Sequence, residues 1–307
     1  MMHLAVVIIA WFLTVVCILG NGAVILIITR TPTLRSTAGG VFVLSLAVAD
    51  FGVGLLYFPV TYICENFSCN VYAERIFITF SSFCLYATRF SLFALTVDRY
   101  ASIEFPLRYT MFITKKRICF VAVAAWLVAL VATFSDSIPL IATEIQVHVE
   151  RYLAWIILHT VVLSLIPSII LFATTVRLML VVRKLRRQTS AIIAQLSFNK
   201  MSCDVTVNRR SREFDYAKVV AVLVSIFAAV FLTEMTANIC LLFQISQCNS
   251  DHFDSGIYIL NLINSSANPF VYVLLKKDIR SEFQKALLHR RSTIAPQAST
   301  NVSYLQG

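Results

Sequence analysis

The 307-residue chain is short of charge: Asp, Glu, Lys and Arg make up only 14% of it, where a soluble domain carries about 25%. Its 8 glycines and 7 prolines are scattered, and no Gly/Ser-rich stretch reads as a linker. Internal repeats and low-complexity tracts are missing, which leaves a single domain. Two-residue alternation of apolar and polar residues is missing too, which argues against a β-barrel. Neither a Ser/His/Asp arrangement, nor a phosphate-cradling glycine loop, nor a cluster with metal-ligand spacing is present, so no feature points to an enzyme. What the chain has in excess is apolar side chains, at 58% of residues. A chain of this size can bury only part of them, so the surplus must face something other than water. Soluble and disordered classes are thereby excluded, and a membrane protein remains.

A membrane helix needs about 20 mostly apolar residues to cross about 30 Å of hydrocarbon. Seven such runs occur, near 4–28, 41–63, 76–98, 118–135, 152–182, 217–244 and 256–275, separated by polar connectors. The first reads as a retained helix rather than a signal peptide, because no Lys or Arg precedes it, it is long, and Arg30 follows as a stop. Basic residues set the orientation. Of the 26 Lys and Arg, the connectors after the first, third and fifth runs and the tail hold 2, 5, 10 and 6; Arg75 and Arg151 stand opposite, and Arg89 is within the third run. The expected arrangement is a plasma-membrane protein with its N-terminus extracellular and its C-terminus cytoplasmic. The net charge of +10 is then a property of the cytoplasmic face, and no nucleic acid is needed to explain it.

Polar residues recur within these runs, and intramembrane polar groups are candidates for function. The runs carry Gly20-Asn21-Gly22-Ala23-Val24, Leu46-Ala47-Val48-Ala49-Asp50, Asp98-Arg99-Tyr100, Trp126, Pro167 and Asn268-Pro269-Phe270-Val271-Tyr272 in order. Each alone is a weak signal; together, one set per run, they resemble the rhodopsin-like (class A) family of G-protein-coupled receptors from about Gly20 to Phe283. Phe105-Pro106-Leu107-Arg108-Tyr109 and Asn238 lean toward the adenosine- or melanocortin-type branch. The resemblance implies an all-α membrane protein, a seven-transmembrane helix bundle with a short amphipathic eighth helix. The receptor domain would cover 4–288, with a cytoplasmic tail over 289–307. The stripe Ile279, Phe283, Ala286 and Leu287, flanked by Lys276, Lys277, Arg280 and Lys285, fits that eighth helix lying on membrane lipid. No cysteine follows the seventh run, so the tail lacks a palmitoylation site. Ser292, Thr293, Ser299, Thr300 and Ser303 beside Arg290-Arg291 are either sites for a receptor kinase, with arrestin to follow, or a plain polar tail.

The same resemblance places Asp50 against Asn21, Thr88, Asn264, Ser265 and Asn268. An oxygen-rich set around one carboxylate suits a hard cation such as sodium; a hydrogen-bonded network without an ion is the alternative. Arg99 is expected to pair with Glu213 at the base of the sixth run. That lock would open for a heterotrimeric G protein, with Asn268, Pro269 and Tyr272 bending the seventh run. A solvated surface pair is the plainer reading. Arg89 has no partner evident from the sequence.

The sequence also departs from the family. Phe231 and Thr233 stand where a tryptophan and a proline are usual in the sixth helix, and Thr175 where the fifth helix usually has a tyrosine. Glu74 occupies the position of the usual bridging cysteine, and 136–151 holds none, so that disulfide is missing. Cys64, Cys69, Cys240 and Cys248 lie toward the oxidising side. They allow three pairings, of which Cys64–Cys69 with Cys240–Cys248 is the most local. Cys119 and Cys203 should stay thiols, and Cys17 and Cys84 read as packing residues. Asn66-Phe67-Ser68 is a glycosylation sequon on the outer side, close to the membrane.

The expected pocket opens outward between the third, fifth, sixth and seventh helices. Ser81 replaces the aspartate that anchors amines in similar receptors, and Leu262 the lysine that would bind retinal. Ser81, His159, Glu234, Asn238 and Tyr258 would supply polar groups in an apolar cavity suited to an extracellular small-molecule ligand. Glu234 is either its anchor or a protonated acid bonded to a neighbour. The function expected is a G-protein-coupled receptor without a cofactor, apart from an allosteric sodium ion. The alternatives are a non-signalling receptor-like protein and, further off, a transporter or channel, whose broken helices and repeat halves are not visible.

Overall fold

The computed structural model describes residues 4–67, 69–144, 160–198 and 251–275, together with positions 154, 157, 158 and 281 and scattered positions between 222 and 240. Among the described residues every regular element is a helix. The first helix is Leu4–Arg30, the second Ala38–Phe67, the third Val71–Glu104 and the fourth Lys115–Glu144. The fifth begins with a π-helical stretch, Thr160–Leu165, and continues as Ile166–Phe198. Helical positions between 222 and 240 mark the sixth, and Asp251–Leu275 is the seventh. Five of these, Leu4–Arg30, Ala38–Phe67, Val71–Glu104, Lys115–Ser135 and Val161–Val181, are long and apolar enough to cross a membrane. The fold is a seven-helix membrane bundle.

Local chemistry sets several of the ends. Asn70 caps the third helix, its side-chain oxygen accepting the Tyr72 N–H at 2.9 Å, which satisfies one of the four unpaired donors of a helix start. Two short helices, Pro32–Arg35 and Pro106–Phe112, each open on a proline, whose fixed φ and missing N–H suit the first helical position. Pro167 stands just after the π-helical stretch; lacking an N–H and crowding the preceding turn, proline favours such a local widening. The fifth helix runs to Phe198, where the sequence suggested a connector beginning at 183. Arg, Lys, Leu, Gln and Ala are strong helix formers, so backbone hydrogen bonding continues after hydropathy has ended.

Side chains sort as they do in a bilayer. On the first helix Ala10, Thr14, Cys17, Asn21, Val24 and Ile28 face inward, while Leu4, Ile8, Phe12 and Leu19 point outward. Four of these six inward residues are small or polar, while the outward ones are large and apolar, and small inward residues allow close helix approach. Gly20 shows why: a Cβ there would stand 2.8 Å from Cγ of Pro269, so at this point a larger residue would push the first and seventh helices apart. The second helix packs on the first and third, and the third also on the fourth and fifth. The largest apolar cluster, including Ile28, Phe42, Leu46, Leu95 and Leu178, lies toward the Arg99 end; Ala10, Phe58 and Leu262 form a smaller one at the other.

Candidate functional site

Asp50 is wholly buried on the second helix. An unpaired carboxylate there would be costly, since hydrocarbon offers no hydrogen bonds. Thr88 on the third helix donates its hydroxyl to Oδ1 at 2.9 Å, and the Asn268 side-chain amide on the seventh donates to Oδ2. One carboxylate thus ties three helices together. The Ser265 hydroxyl lies beside it without closing a hydrogen bond. Asn21 bonds elsewhere: its amide donates to the carbonyls of Cys17 and Ser265, at 3.0 and 3.1 Å, joining the first helix to the seventh. Cys17 in turn donates its thiol to the Asp50 carbonyl at 3.2 Å. Asn264 is buried on the seventh helix, and no hydrogen bond joins it to Asp50 among the described residues.

A second polar chain crosses nearby. The indole N–H of Trp126 donates to Ser45 Oγ at 2.8 Å, and the Ser45 and Ser91 hydroxyls are 2.9 Å apart, joining the fourth, second and third helices. Sequence reasoning singled out Trp126 but missed both serines. The available signal was polarity within apolar runs, which many lipid-facing serines share by bonding their own backbone.

At the far end of the third helix, the Arg99 guanidinium donates to Asp98. Tyr109, in the short helix after Glu104, donates its hydroxyl to the other Asp98 oxygen at 2.7 Å. Asp98 is buried, so the acid holds both the arginine and the loop. A Cβ on Gly39 would stand 2.8 Å from Arg99 Nη2, so the guanidinium lies directly against the start of the second helix and would have to shift for a larger residue there. Tyr100 meets Phe105 edge-on, with ring centroids 6.3 Å apart. The arrangement presents a cation held by a short polar set at the bundle's end. Glu213, the expected partner of Arg99, lies outside the described residues.

Toward the opposite end, Tyr258 stacks on Tyr57 of the second helix with centroids 4.7 Å apart. Its hydroxyl stands 3.4 Å from Thr61 Oγ1, and Asn261 donates to the Tyr57 hydroxyl at 3.3 Å. Tyr258 therefore faces the second helix, a side that the sequence-based pocket did not include. Ser81 is buried on the third helix. His159, Glu234 and Asn238 lie outside the described residues, as do Cys248, Cys203 and the eighth-helix segment apart from Ser281. Arg89 lies over the Tyr86 ring, 5.3 Å from its centroid, a cation–π contact within its own helix. Pro269 packs against Gly20, and Tyr272 falls in the last turn of the seventh helix.

Cys64 and Cys69 form a disulfide across the turn between the second and third helices. Cys240 is disulfide-bonded as well, to a residue outside the described set. Cys17, Cys84 and Cys119 are free thiols, the first two buried and the third exposed. Asn66 is exposed in the last turn of the second helix, where its amide donates to the Tyr62 carbonyl at 2.8 Å.

A buried carboxylate hub and an Asp-Arg-Tyr terminus in a seven-helix bundle are the features by which the fold resembles a membrane receptor. The family profile described as "7 transmembrane receptor (rhodopsin family)" matches residues 20–272, and the chain belongs to that family of G-protein-coupled receptors. It is 27% identical over 286 residues to the adenosine receptor A2b of Bos taurus, covering 84% of this chain and 82% of that receptor. It is 24% identical over 295 residues to the histamine H2 receptor of Cavia porcellus, covering 89% and 76%. With the D(1)-like dopamine receptor of Takifugu rubripes identity is 24% over 314 residues, covering 88% and 66%. The protein is accordingly a multi-pass membrane receptor of the class A type, with adenosine-type similarity.

Proposed function

We propose that this receptor binds a small extracellular ligand and activates a heterotrimeric G protein through its Arg99 end. The observation that carries the reading is the Arg99–Asp98–Tyr109 set packed against Gly39, a cation held by a buried acid at the bundle's end. In the resting state Arg99 would pair with Glu213, and outward release of that pair would expose Asp98, Arg99 and Tyr100 to the G protein. Asn268, Pro269 and Tyr272 would carry the change along the seventh helix. The N-terminus would be extracellular and the tail cytoplasmic, where a receptor kinase and arrestin would act.

For the ligand we propose a small polar molecule held by Ser81, His159, Glu234, Asn238 and Tyr258. Nucleosides head the screen because several relatives are adenosine receptors and Asn238 fits that branch, whereas Ser81 removes an amine's usual anchor. A sodium ion would sit at Asp50 with Ser265, Thr88, Asn264 and Asn268. Buried oxygens without a hydrogen bond, Ser265 Oγ and Asn21 Oδ1, are the acceptors that would suit such an ion. When bound, it would neutralise the Asp50 carboxylate.

The test is basal G-protein activation across all Gα classes, in cells with verified surface expression, for wild type, Glu213→Ala and Arg99→Ala. The expected result is activity raised by the first change and lost with the second. One specific feature favours a second reading, a receptor-like protein that does not signal: Phe231 and Thr233 replace the tryptophan and proline usual in the sixth helix. Silence of all three proteins with every Gα would select it.

A further inference from the structure

A recess of about 290 Å³ opens on the lipid-facing side of the fifth helix, where Ser225 of the sixth helix approaches it. Its back wall is Thr175, buried, with its hydroxyl already donated to the Leu171 carbonyl at 2.9 Å, so that the surface it leaves is apolar. Phe172, Val176 and Leu180 flank it and are 58%, 42% and 57% exposed. At its end stands the exposed guanidinium of Arg183. Lys184 and Arg187, also exposed, follow within one turn, and no Asp or Glu occurs anywhere between 160 and 198 to offset them.

The dimensions match one half of a bilayer. Phe172 to Arg183 is eleven residues, a rise of about 16 Å, against about 15 Å for half of the hydrocarbon thickness. An occupant must therefore be apolar over one leaflet's depth and anionic where that leaflet meets water. The volume lies at the lower bound of small-molecule pockets, about 300 Å³, which suits a single chain better than a ring system. A helix from a second copy would satisfy the apolar wall, but Arg183, Lys184 and Arg187 would then face the same charges on a symmetric partner.

We propose that this recess holds an anionic phospholipid of the leaflet at the Arg99 end, its acyl chain along Phe172, Val176 and Leu180 and its phosphate on Arg183. Guanidinium recognises phosphate through paired N–H donors, and a basic residue near the membrane surface contributes enough to change affinity about fivefold. The lipid would stand between the fifth and sixth helices.

Native mass spectrometry of the purified full chain, titrated with phosphatidylglycerol or phosphatidylcholine, tests this without reference to signalling. Wild type should retain one phosphatidylglycerol in preference to phosphatidylcholine. Arg183→Gln should weaken that retention about fivefold, and Arg183→Lys should lose less. Val176→Trp, which fills the recess, should abolish it. Arg108→Gln, an exposed basic change elsewhere, should leave it unchanged. Equal retention of the two lipids by wild type, an equal loss with Arg108→Gln, unaltered binding in Arg183→Gln, or a dimer mass in place of the lipid would each overturn the proposal.

Discussion

Asp50 shows how much one residue organises. It accepts from Thr88 and Asn268, so a single carboxylate registers the second, third and seventh helices, while the oxygens of Ser265 and Asn21 stay unpaired beside the network. If those oxygens receive sodium, the ion stabilises the folded chain by mass action, about 1.4 kcal/mol at ten times its Kd. Thermal unfolding of the purified chain in sodium chloride should then occur a few degrees higher than in choline chloride at equal ionic strength. Asp50→Asn should abolish that difference, because the amide offers one acceptor and no charge. Identical melting in the two salts for wild type would leave Asp50 a structural hub without an ion.

At the scale of helices, the Trp126–Ser45–Ser91 chain is the clearest polar cross-tie of the fourth, second and third. Hydrogen bonds between membrane helices contribute about 0.6 kcal/mol on average and at most about 1.7. Trp126→Phe and Ser45→Ala should each lower stability within that range. The double variant should lose less than the sum, because both changes remove the same bond; full additivity, read from thermal melts, would show that the two do not act together. Such links are the part of the structure that the sequence conceals. The spans were legible because hydropathy over 20 residues is a strong signal, and Asp50 and Arg99 because a charged group among apolar neighbours stands out. Ser45, Ser91, Tyr57, Asn261 and Gly39 were not, since the direction a side chain faces depends on helix rotation, which near-uniform hydropathy does not encode. The fifth helix was misjudged at its end for a related reason. Apolar runs measure the hydrocarbon, whereas a helix stops where capping or propensity stops it.

Across the whole molecule, two independent chemistries distinguish its ends. Arg99 of the third helix, Lys115 at the start of the fourth and the basic stretch after Arg183 mark one end, and positive charge is retained on the cytoplasmic side. The Cys64–Cys69 disulfide marks the other, at the close of the second helix, and disulfides persist where the surroundings are oxidising. Cys119, a free and exposed thiol four residues into the fourth helix, belongs to the basic end. In the proposed orientation both criteria would place it on the side of the reducing cytosol. A membrane-impermeant maleimide should leave Cys119 unlabelled on intact cells and label it once the membrane is opened. The increment should fall in Cys119→Ser and persist in Cys203→Ser. Labelling of Cys119 on intact cells to the same extent as on opened ones would reverse the orientation, and with it the assignment of Arg99 to the G-protein side and of Tyr258 to the ligand side.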